Sequence, residues 1–258
     1  MSDILQHRED GILTLTFNRL DKKNAITTVM YNALADAMFA AAEDAAVRVV
    51  VLQGHEQVFT AGNDLADFLK NPPDTSKPDA EPAPVVRFLE ALRTFPKPLL
   101  ASVAGPAVGI GTTLLLHCDL VYAADNAAFS LPFVNLGLCP EAGASLLLPA
   151  LVGYPRAAEK LMLGEPFYAE EAVEMGLVSR LLPPGEVNAY TQAQAAKLAA
   201  KPMASLAATK ALMKKGQVGL QQIMGDELKL FGALLRGPAA KEAISAVMEK
   251  RKPDFSQC

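Results

Sequence analysis

The sequence predicts an α/β protein in which a mainly parallel, buried sheet is followed by a helical C-terminal section. Two observations lead to this prediction. Short β-branched or alternating apolar runs at Ile12 to Phe17, Val47 to Leu52 and Leu99 to Val103 are separated by segments of helical character. After about Pro155 the strand signals nearly stop, and Ala- and Leu-rich helical segments follow. Strands that alternate with helices favour a parallel sheet that is buried on both faces.

The remaining elements follow the same signals. Thr27 or Thr28 is expected to cap a long helix that runs from Val29 to Ala46, and a fourth strand is predicted at Leu120 to Ala123. The helices expected in the C-terminal section are Arg156 to Leu163, Ala169 to Met175, Glu186 to Ala200, Met203 to Lys215, Leu220 to Leu235 and Ala239 to Lys250.

A proline-rich stretch from Asn71 to Pro84 interrupts this pattern. Its many prolines remove backbone donors, so regular hydrogen bonding is not expected there. Strand and helix signals of the same character resume on both sides, and a mobile loop over a site is therefore favoured over an interdomain linker.

The composition excludes several functional classes. The chain has 258 residues, of which 51% are hydrophobic, and a formal net charge of −4, so general disorder and a basic surface for nucleic acid are not expected. Its longest apolar runs fall short of the roughly 20 residues that cross a bilayer. The segment Met1 to Asp10 resembles neither a signal nor a transit peptide, and the three cysteines suit a reducing compartment. We therefore expect a cytoplasmic, bacterial protein without nucleic-acid or membrane partners.

Two glycine-containing turns come directly after predicted strands. They are Phe59 to Leu65, with Gly62 at its centre, and Gly105 to Thr113. Turns at the carboxyl ends of parallel strands commonly bind ligands, and their unpaired amides attract anions. Two such amides that converge on one oxygen form an oxyanion hole. The alternative is that these glycines form tight turns and nothing more.

These two turns resemble the oxyanion signatures of the enoyl-CoA hydratase/isomerase (crotonase) family. The resemblance continues in order along nearly the whole chain, through Phe129 to Phe133, Asn135 to Pro140, Ala169 to Ala172, Gly176 to Val178 and Glu249 to Lys252. It implies a crotonase (ClpP-like) spiral of ββα units as an α/β core over residues 1–200. It also implies a helical C-terminal trimerisation region over residues 201–258, with a homotrimer or hexamer as the assembly.

The resemblance also indicates which branch of the family this chain is similar to. Family hydratases use two glutamates, and here those positions hold Thr113 and Phe133. Glu141 instead occupies the position of the catalytic glutamate of Δ3,Δ2-enoyl-CoA isomerases, although a glutamate near a helix start is also explained by the helix dipole. Alternatives are an epoxyphenylacetyl-CoA isomerase, which carries aspartate at this position, a hydratase, and a CoA-binding module of the same fold without activity.

The resemblance implies a complete set of site residues for an acyl-CoA substrate. Glu141 is expected to be the catalytic base, with the amides of Ala61 and Ile110 as oxyanion donors. No cofactor is expected because coenzyme A is part of the substrate, and the three histidines show no metal-ligand spacing. The residues expected to bind substrate are Lys23, Ala25, Ala61, Gly62, Asn63, Asp64, Leu65, Phe68, Gly109, Phe133, Leu136, Phe231 and Lys250.

Overall fold

A six-stranded sheet forms the centre of the protein. The structure, a computed structural model, describes residues 2–70 and 82–258, so most of the predicted loop from Asn71 to Pro84 lies outside the described residues. The strands are β1 (Ile4–Glu9), β2 (Ile12–Phe17), β3 (Val49–Gln53), β4 (Leu99–Val103), β5 (Pro106–Val108), β6 (Leu120–Ala124), β7 (Ala128–Ser130), β8 (Phe167–Tyr168) and β9 (Arg180–Leu182).

Helices connect these strands and make up most of the second half of the chain. The α-helices are α1 (Thr28–Glu43), α2 (Leu65–Lys70), α3 (Pro84–Thr94), α4 (Ile110–Thr113), α5 (Ala144–Val152), α6 (Tyr154–Leu163), α7 (Ala169–Glu174), α8 (Pro184–Ala199), α9 (Met203–Lys214), α10 (Leu220–Leu235) and α11 (Pro238–Glu249). Short 3-10 turns cover Leu20–Lys22, Leu114–His117, Val134–Leu136 and Phe255–Gln257.

The main sheet has the strand order β1-β2-β3-β4-β6-β9 and is parallel except at its β1 edge. Strands β5, β7 and β8 form a second, smaller sheet. Strand β1 pairs with β2 through a hairpin at Asp10 and Gly11, both of which have positive φ. An Asp-Gly pair is a common hairpin turn, and this signal marks a strand that the sequence analysis did not predict.

Alternate residues of the central strands pack into two separate cores. Val49 and Val51 contact the side of α8, whereas Val50 and Leu52 belong to the larger core that includes the buried face of α1. Successive side chains of a strand point to opposite faces, so a strand that is covered on both faces is apolar throughout. This explains the continuous apolar run that predicted β3.

The sequence predictions are confirmed for the main elements. Strands β2 and β4 and helix α10 begin and end where predicted, and the Thr27 hydroxyl caps α1 by accepting a 3.4 Å hydrogen bond from the Met30 amide. Helix α5 is the helix expected after Glu141, but no bounds were predicted for it because its apolar run has no clear helical periodicity. Within the described ranges, every helix is too short or too polar to cross a lipid bilayer.

Candidate active site

The two glycine turns lie side by side and are joined by main-chain hydrogen bonds. The Thr60 amide donates to the Pro106 carbonyl at 3.0 Å, and the Val108 amide donates to the Thr60 carbonyl at 3.0 Å. A Cβ on Gly62 would lie 2.8 Å from the Val108 carbonyl oxygen, and one on Gly111 would lie 2.5 Å from Thr60 Cγ2. Glycine is therefore required at both positions for the turns to approach so closely.

The first turn leaves a different amide free from the one that the sequence predicted. The Ala61 amide donates a 3.0 Å hydrogen bond to the Lys23 carbonyl, so the prediction that Ala61 supplies an oxyanion donor is corrected. Asn63 forms a parallel bridge with Ile26, in which the hydrogen bonds are made by the residues on either side of Asn63. The Asn63 amide consequently has no acceptor within residues 2–70 and 82–258, and it replaces Ala61 as the available donor of this turn.

The second turn has its free amide at Ile110, as the resemblance implies. Gly109 precedes α4 with a φ of 55° and a ψ of −116°, a conformation suited to glycine, and its amide donates to the Ser130 carbonyl at 2.9 Å. The amides of Thr112 and Thr113 donate to the Gly109 carbonyl. Ile110 is the first residue of the helix, and its amide finds no acceptor in the described chain.

Glu141 lies in the turn that precedes α5, three residues before the helix begins at Ala144. One of its oxygens, Oε1, accepts a 2.5 Å hydrogen bond from the Thr113 hydroxyl. Ala142 and Gly143 follow with φ values of 61° and 74°, so two successive residues adopt the left-handed conformation. The glutamate is thus held by a backbone turn and a side-chain contact, and it does not open the helix as the sequence analysis expected.

An apolar pocket adjoins the carboxylate. It lies between the core and the C-terminal helix α10, and the aromatic rings of Phe68 and Phe231 meet across it edge to face with centroids 6.0 Å apart. The lining residues are Asn63, Phe68, Val85, Leu89, Glu141, Leu228 and Phe231. The structure therefore brings together four residues of the predicted site from three separate regions of the sequence, while Val85, Leu89 and Leu228 were not predicted.

The surroundings of Glu141 raise its pKa to about 8. Burial is the largest cause because it disfavours the charged form, and the negative charge of Glu227 acts in the same direction. The hydrogen bond from Thr113 acts in the opposite direction because it stabilises the carboxylate. A carboxyl group with a pKa in this range can both accept and release a proton near neutral pH.

Tyr31 is a further polar group at this site that the sequence analysis missed. Its hydroxyl donates a 2.5 Å hydrogen bond to Oδ1 of Asn63, and burial together with the charge of Glu141 raises its pKa well above the usual value. The side chain is 3% exposed and lies on the buried face of α1. A tyrosine on an otherwise apolar helix face is a signal for such a residue, because a buried hydroxyl needs a partner.

Several residues predicted to bind substrate have other contacts in the structure. Phe133 is buried in the core and Leu136 packs against that core, and neither is among the residues that line the pocket. The Asp64 carboxylate pairs with Arg19 at 2.8 Å and accepts a hydrogen bond from the Asp67 amide of α2. Contact of these three side chains with the substrate therefore stays a prediction.

The residues predicted near coenzyme A occupy the outer part of the molecule. Lys23 and Lys250 have exposed side chains, and both adopt a left-handed backbone conformation. Ala25 is partly exposed, and its carbonyl accepts a hydrogen bond from Arg19. Leu65 begins helix α2 directly after the first turn. Their contact with coenzyme A stays a prediction.

Comparison with known proteins gives a consistent family. A family model described as enoyl-CoA hydratase/isomerase matches residues 7–258. The 2,3-dehydroadipyl-CoA hydratase of Escherichia coli (strain K12) is 36% identical over 256 residues, which cover 99% of each chain. Enoyl-CoA delta isomerase 2 of Rattus norvegicus is 39% identical over 254 residues, 97% of this chain and 64% of that one. The solved structure of Pseudomonas aeruginosa OdaA has a TM-score of 0.91 at 45% identity and covers 96% of this chain and 99% of that one.

A buried carboxylate close to free main-chain amides is typical of enzymes that stabilise an oxyanion while a proton is transferred. The family match and the structural likeness extend over almost the whole chain, so the resemblance seen in the sequence is confirmed. This chain belongs to the enoyl-CoA hydratase/isomerase family and has the crotonase fold.

Proposed function

We propose that this protein is a Δ3,Δ2-enoyl-CoA isomerase, which shifts the double bond of a 3-enoyl-CoA to the 2-trans position in fatty-acid β-oxidation. The observation that carries the proposal is the single carboxylate Glu141 at an apolar pocket. The positions where family hydratases carry their two acids hold Thr113, whose hydroxyl binds Glu141, and Phe133, which is buried in the core. The site thus supplies one acid, which is the number that an internal proton shift requires.

The proposed reaction moves one proton and two electron pairs. In a 3-enoyl-CoA the C2 proton is acidified by both the thioester and the neighbouring double bond. Glu141 removes this proton, the electron pair of the C2–H bond forms a C1=C2 bond, and the carbonyl pair moves onto the thioester oxygen to give a dienolate. In the second step the oxygen pair restores the carbonyl, the C1=C2 pair becomes the C2=C3 bond, and the C3=C4 pair takes the proton back from Glu141 at C4. Because nothing is gained or lost, no cofactor is needed besides the coenzyme A of the substrate.

The main-chain donors support this chemistry at the thioester. The amides of Asn63 and Ile110 have no acceptor in the described chain and belong to the two hydrogen-bonded turns. We assign them to the thioester oxygen, where donors that are fixed before the reaction stabilise the developing negative charge. This assignment keeps Ile110 from the sequence analysis and replaces Ala61 by Asn63.

The apolar side chains of the pocket support isomerisation over hydration. Phe68, Leu89 and Phe231 surround the position next to Glu141, so water is disfavoured beside the dienolate. A water-free site lets the proton return to the substrate at C4 and prevents addition of water to the product. The raised pKa of Glu141 supports the same role, because the acid form must hold the proton between the two steps.

Hydration is the second candidate, and it is favoured by the full-length similarity to a protein named 2,3-dehydroadipyl-CoA hydratase. Addition of water needs one group to orient the water and another to handle the proton at C2. Thr113 and Phe133 do not supply a second acid, and Glu227, the carboxylate whose charge acts on Glu141, already accepts hydrogen bonds from Gly143 and Ser145. We therefore rank hydration below isomerisation.

The test compares both reactions in one set of proteins. Wild type, Glu141→Gln and the exposed control Glu170→Gln are incubated with 3-hexenoyl-CoA, and formation of the conjugated thioester is followed by absorbance. We expect Glu141→Gln to lose about 100-fold or more in kcat while it still binds coenzyme A, and Glu170→Gln to match wild type.

Three results would speak against the proposal. Failure of wild type to convert 3-hexenoyl-CoA while it binds coenzyme A would favour a binding module. Faster hydration of 2-hexenoyl-CoA than isomerisation would favour a hydratase. Turnover restricted to an epoxyphenylacetyl-CoA substrate would favour the ring-expanding branch of the family.

A further inference from the structure

We propose that Glu227, on the C-terminal helix α10, is a positioning residue that holds the Glu141 turn in place and maintains a negative charge beside the base. Neither the sequence motifs nor the family resemblance pointed to this residue. The inference rests on the proposed function of Glu141 as the proton-transferring group. It goes further by assigning control of that group to a helix far away in the sequence.

Both oxygens of the Glu227 carboxylate accept hydrogen bonds from the segment that follows Glu141. Its Oε2 accepts the Gly143 amide at 2.6 Å, and its Oε1 accepts both the amide and the hydroxyl of Ser145, at 2.9 Å and 2.5 Å. The residue is 6% exposed, so these contacts take the place of water. Burial raises the pKa of Glu227, and the hydrogen bonds from Gly143 and Ser145 act in the opposite direction because they stabilise the ionised carboxylate.

The turn that Glu227 binds is one that the backbone does not adopt readily. Ala142 has a φ of 61°, and the left-handed region is sterically disfavoured for a residue with a Cβ. His117 also holds this turn, through a 2.7 Å hydrogen bond between its Nε2 and the Ala142 carbonyl. Because the Ala142 carbonyl and the Gly143 amide are both held by hydrogen bonds, the backbone that carries the Glu141 side chain has a fixed position.

Among the ionisable groups around Glu141, Glu227 is the one whose charge affects the pKa of Glu141. Burial lowers the pKa of His117 to about 4, and it raises the pKa values of Tyr31 and Cys139, so these three side chains are uncharged at neutral pH. In its ionised form Glu227 acts on Glu141, because its negative charge contributes to the raised pKa of the base. A base with a higher pKa removes the C2 proton more readily.

Helix α10 therefore reaches the site in two ways. Glu227 contacts the turn, and the adjacent Leu228 and Phe231, one helical turn further on, contribute to the apolar wall of the pocket. A displacement of this helix would change the pocket and the base together. Proper seating of the C-terminal helices is thus a condition for turnover, and not for substrate binding alone.

The experiment separates charge and geometry from simple loss of stability. Glu227→Gln removes the charge with little change of shape, Glu227→Asp keeps the charge on a shorter arm, and Asp226→Asn removes an exposed charge from the neighbouring position as a control. Steady-state kinetics over a range of pH give kcat and KM. Carbon-13 NMR of the full-length protein labelled at the glutamate carboxyl carbons gives the pKa of Glu141, with its resonance assigned from Glu141→Gln.

We expect Glu227→Gln to lower the pKa of Glu141, to move the pH midpoint of kcat downward and to reduce the plateau value of kcat about tenfold, with KM nearly unchanged. Glu227→Asp should keep the raised pKa of Glu141 while kcat falls, and Asp226→Asn should match wild type. Equal pKa values of Glu141 in Glu227→Gln and Asp226→Asn would overturn the proposal.

Two further results keep the test decisive. If Glu227→Gln does not fold, the wild-type titration decides: a Glu141 pKa near 8 beside an ionised Glu227 at neutral pH supports the inference, and an ordinary Glu141 pKa or a neutral Glu227 overturns it. If wild type has no isomerase activity, the proposed function fails. The NMR titration still reports whether Glu227 acts on Glu141.

Discussion

The Thr113 hydroxyl donates a 2.5 Å hydrogen bond to Oε1 of Glu141. Thr113 ends the short helix α4, and the free amide of Ile110 begins it. One helical turn therefore carries a donor that we assign to the thioester oxygen and the donor that orients the base. Because Oε1 is occupied, Oε2 is the oxygen that is left to take the substrate proton.

Thr113→Val should impair turnover by releasing the base. The variant removes the donor and leaves the volume almost unchanged, so Glu141 loses both its orientation and a contact that lowers its pKa. We expect kcat to fall about tenfold and the pH midpoint of kcat to move upward. Kinetics over a range of pH check both effects. Thr113→Ser, which retains the hydroxyl, is the matched control, and a Thr113→Val enzyme with wild-type kinetics would contradict this role.

Activity should increase with pH through the neutral region. Glu141 must be ionised to accept the C2 proton, and its pKa of about 8 means that the acid form predominates at neutral pH. We expect kcat/KM for 3-hexenoyl-CoA to rise with pH and to level off above about pH 8. A profile that is flat from mildly acidic to mildly alkaline pH would show that a group other than Glu141 limits the reaction.

The same pKa predicts how Glu141 affects stability. A carboxyl group whose pKa is higher in the folded than in the unfolded protein binds its proton more tightly when folded, so stability decreases as pH rises from the ordinary glutamate range to about 8. Glu141→Gln cannot ionise and should escape this loss. We expect Glu141→Gln to raise the melting temperature at alkaline pH and to have little effect in mild acid, with Glu170→Gln unchanged at both.

The sequence was sufficient for the four inner strands of the main sheet, β2, β3, β4 and β6, and for choosing Glu141 as the candidate base, and insufficient for the contacts of the site. Periodicity and β-branched runs predicted β2 and β4 because burial on both faces leaves a clear apolar signal. Glu141 and Ile110 were found through motif resemblance. The donor of the first turn was misplaced by two residues, because only the tertiary contact with Lys23 reveals that the Ala61 amide is occupied.

Residues that reach the site from distant helices were not identified from the sequence. Glu227 and Tyr31 each occupy a helix position that a sequence pattern assigns to an ordinary amphipathic face. Their role depends on which loop the helix packs against, and that relationship arises from the fold as a whole. Phe133 and Leu136 show the converse, since an apolar residue next to a motif can equally belong to the core.

Tyr31→Phe should weaken the first turn without changing the fold. Its hydroxyl is the partner of Oδ1 of Asn63, and the amide of the same asparagine is the donor that we assign to the thioester oxygen. Loss of this contact leaves a buried amide oxygen without its donor and loosens the turn. We expect kcat/KM to fall about tenfold while the melting temperature changes little. Tyr154→Phe, at a side chain that is 70% exposed, is the control, and equal kinetics of both variants would remove Tyr31 from the site.

Lys210→Met should destabilise the protein by detaching helix α9 from the sheet. Lys210 is 5% exposed, and its Nζ donates to Asp119 Oδ2 and to the Lys97 carbonyl, each at 2.7 Å. Asp119 Oδ2 also accepts the amide of Leu99 in β4, so the ion pair joins the C-terminal helices to the central sheet. Removing one partner of a buried pair leaves the other charge uncompensated, which costs about 3–5 kcal/mol.

Urea denaturation measures this cost against a matched exposed pair. Lys229→Met interrupts the 3.4 Å contact with Asp226 on the surface of α10, where both side chains are more than half exposed, and we expect a change below about 1 kcal/mol. Lys210→Met should lower the free energy of unfolding by several times as much and retain a single transition, because the buried pair ties the C-terminal helices to the core. A loss no larger than that of Lys229→Met would show that α9 is held mainly by apolar packing, and two separate transitions would show that the C-terminal helices unfold independently of the sheet.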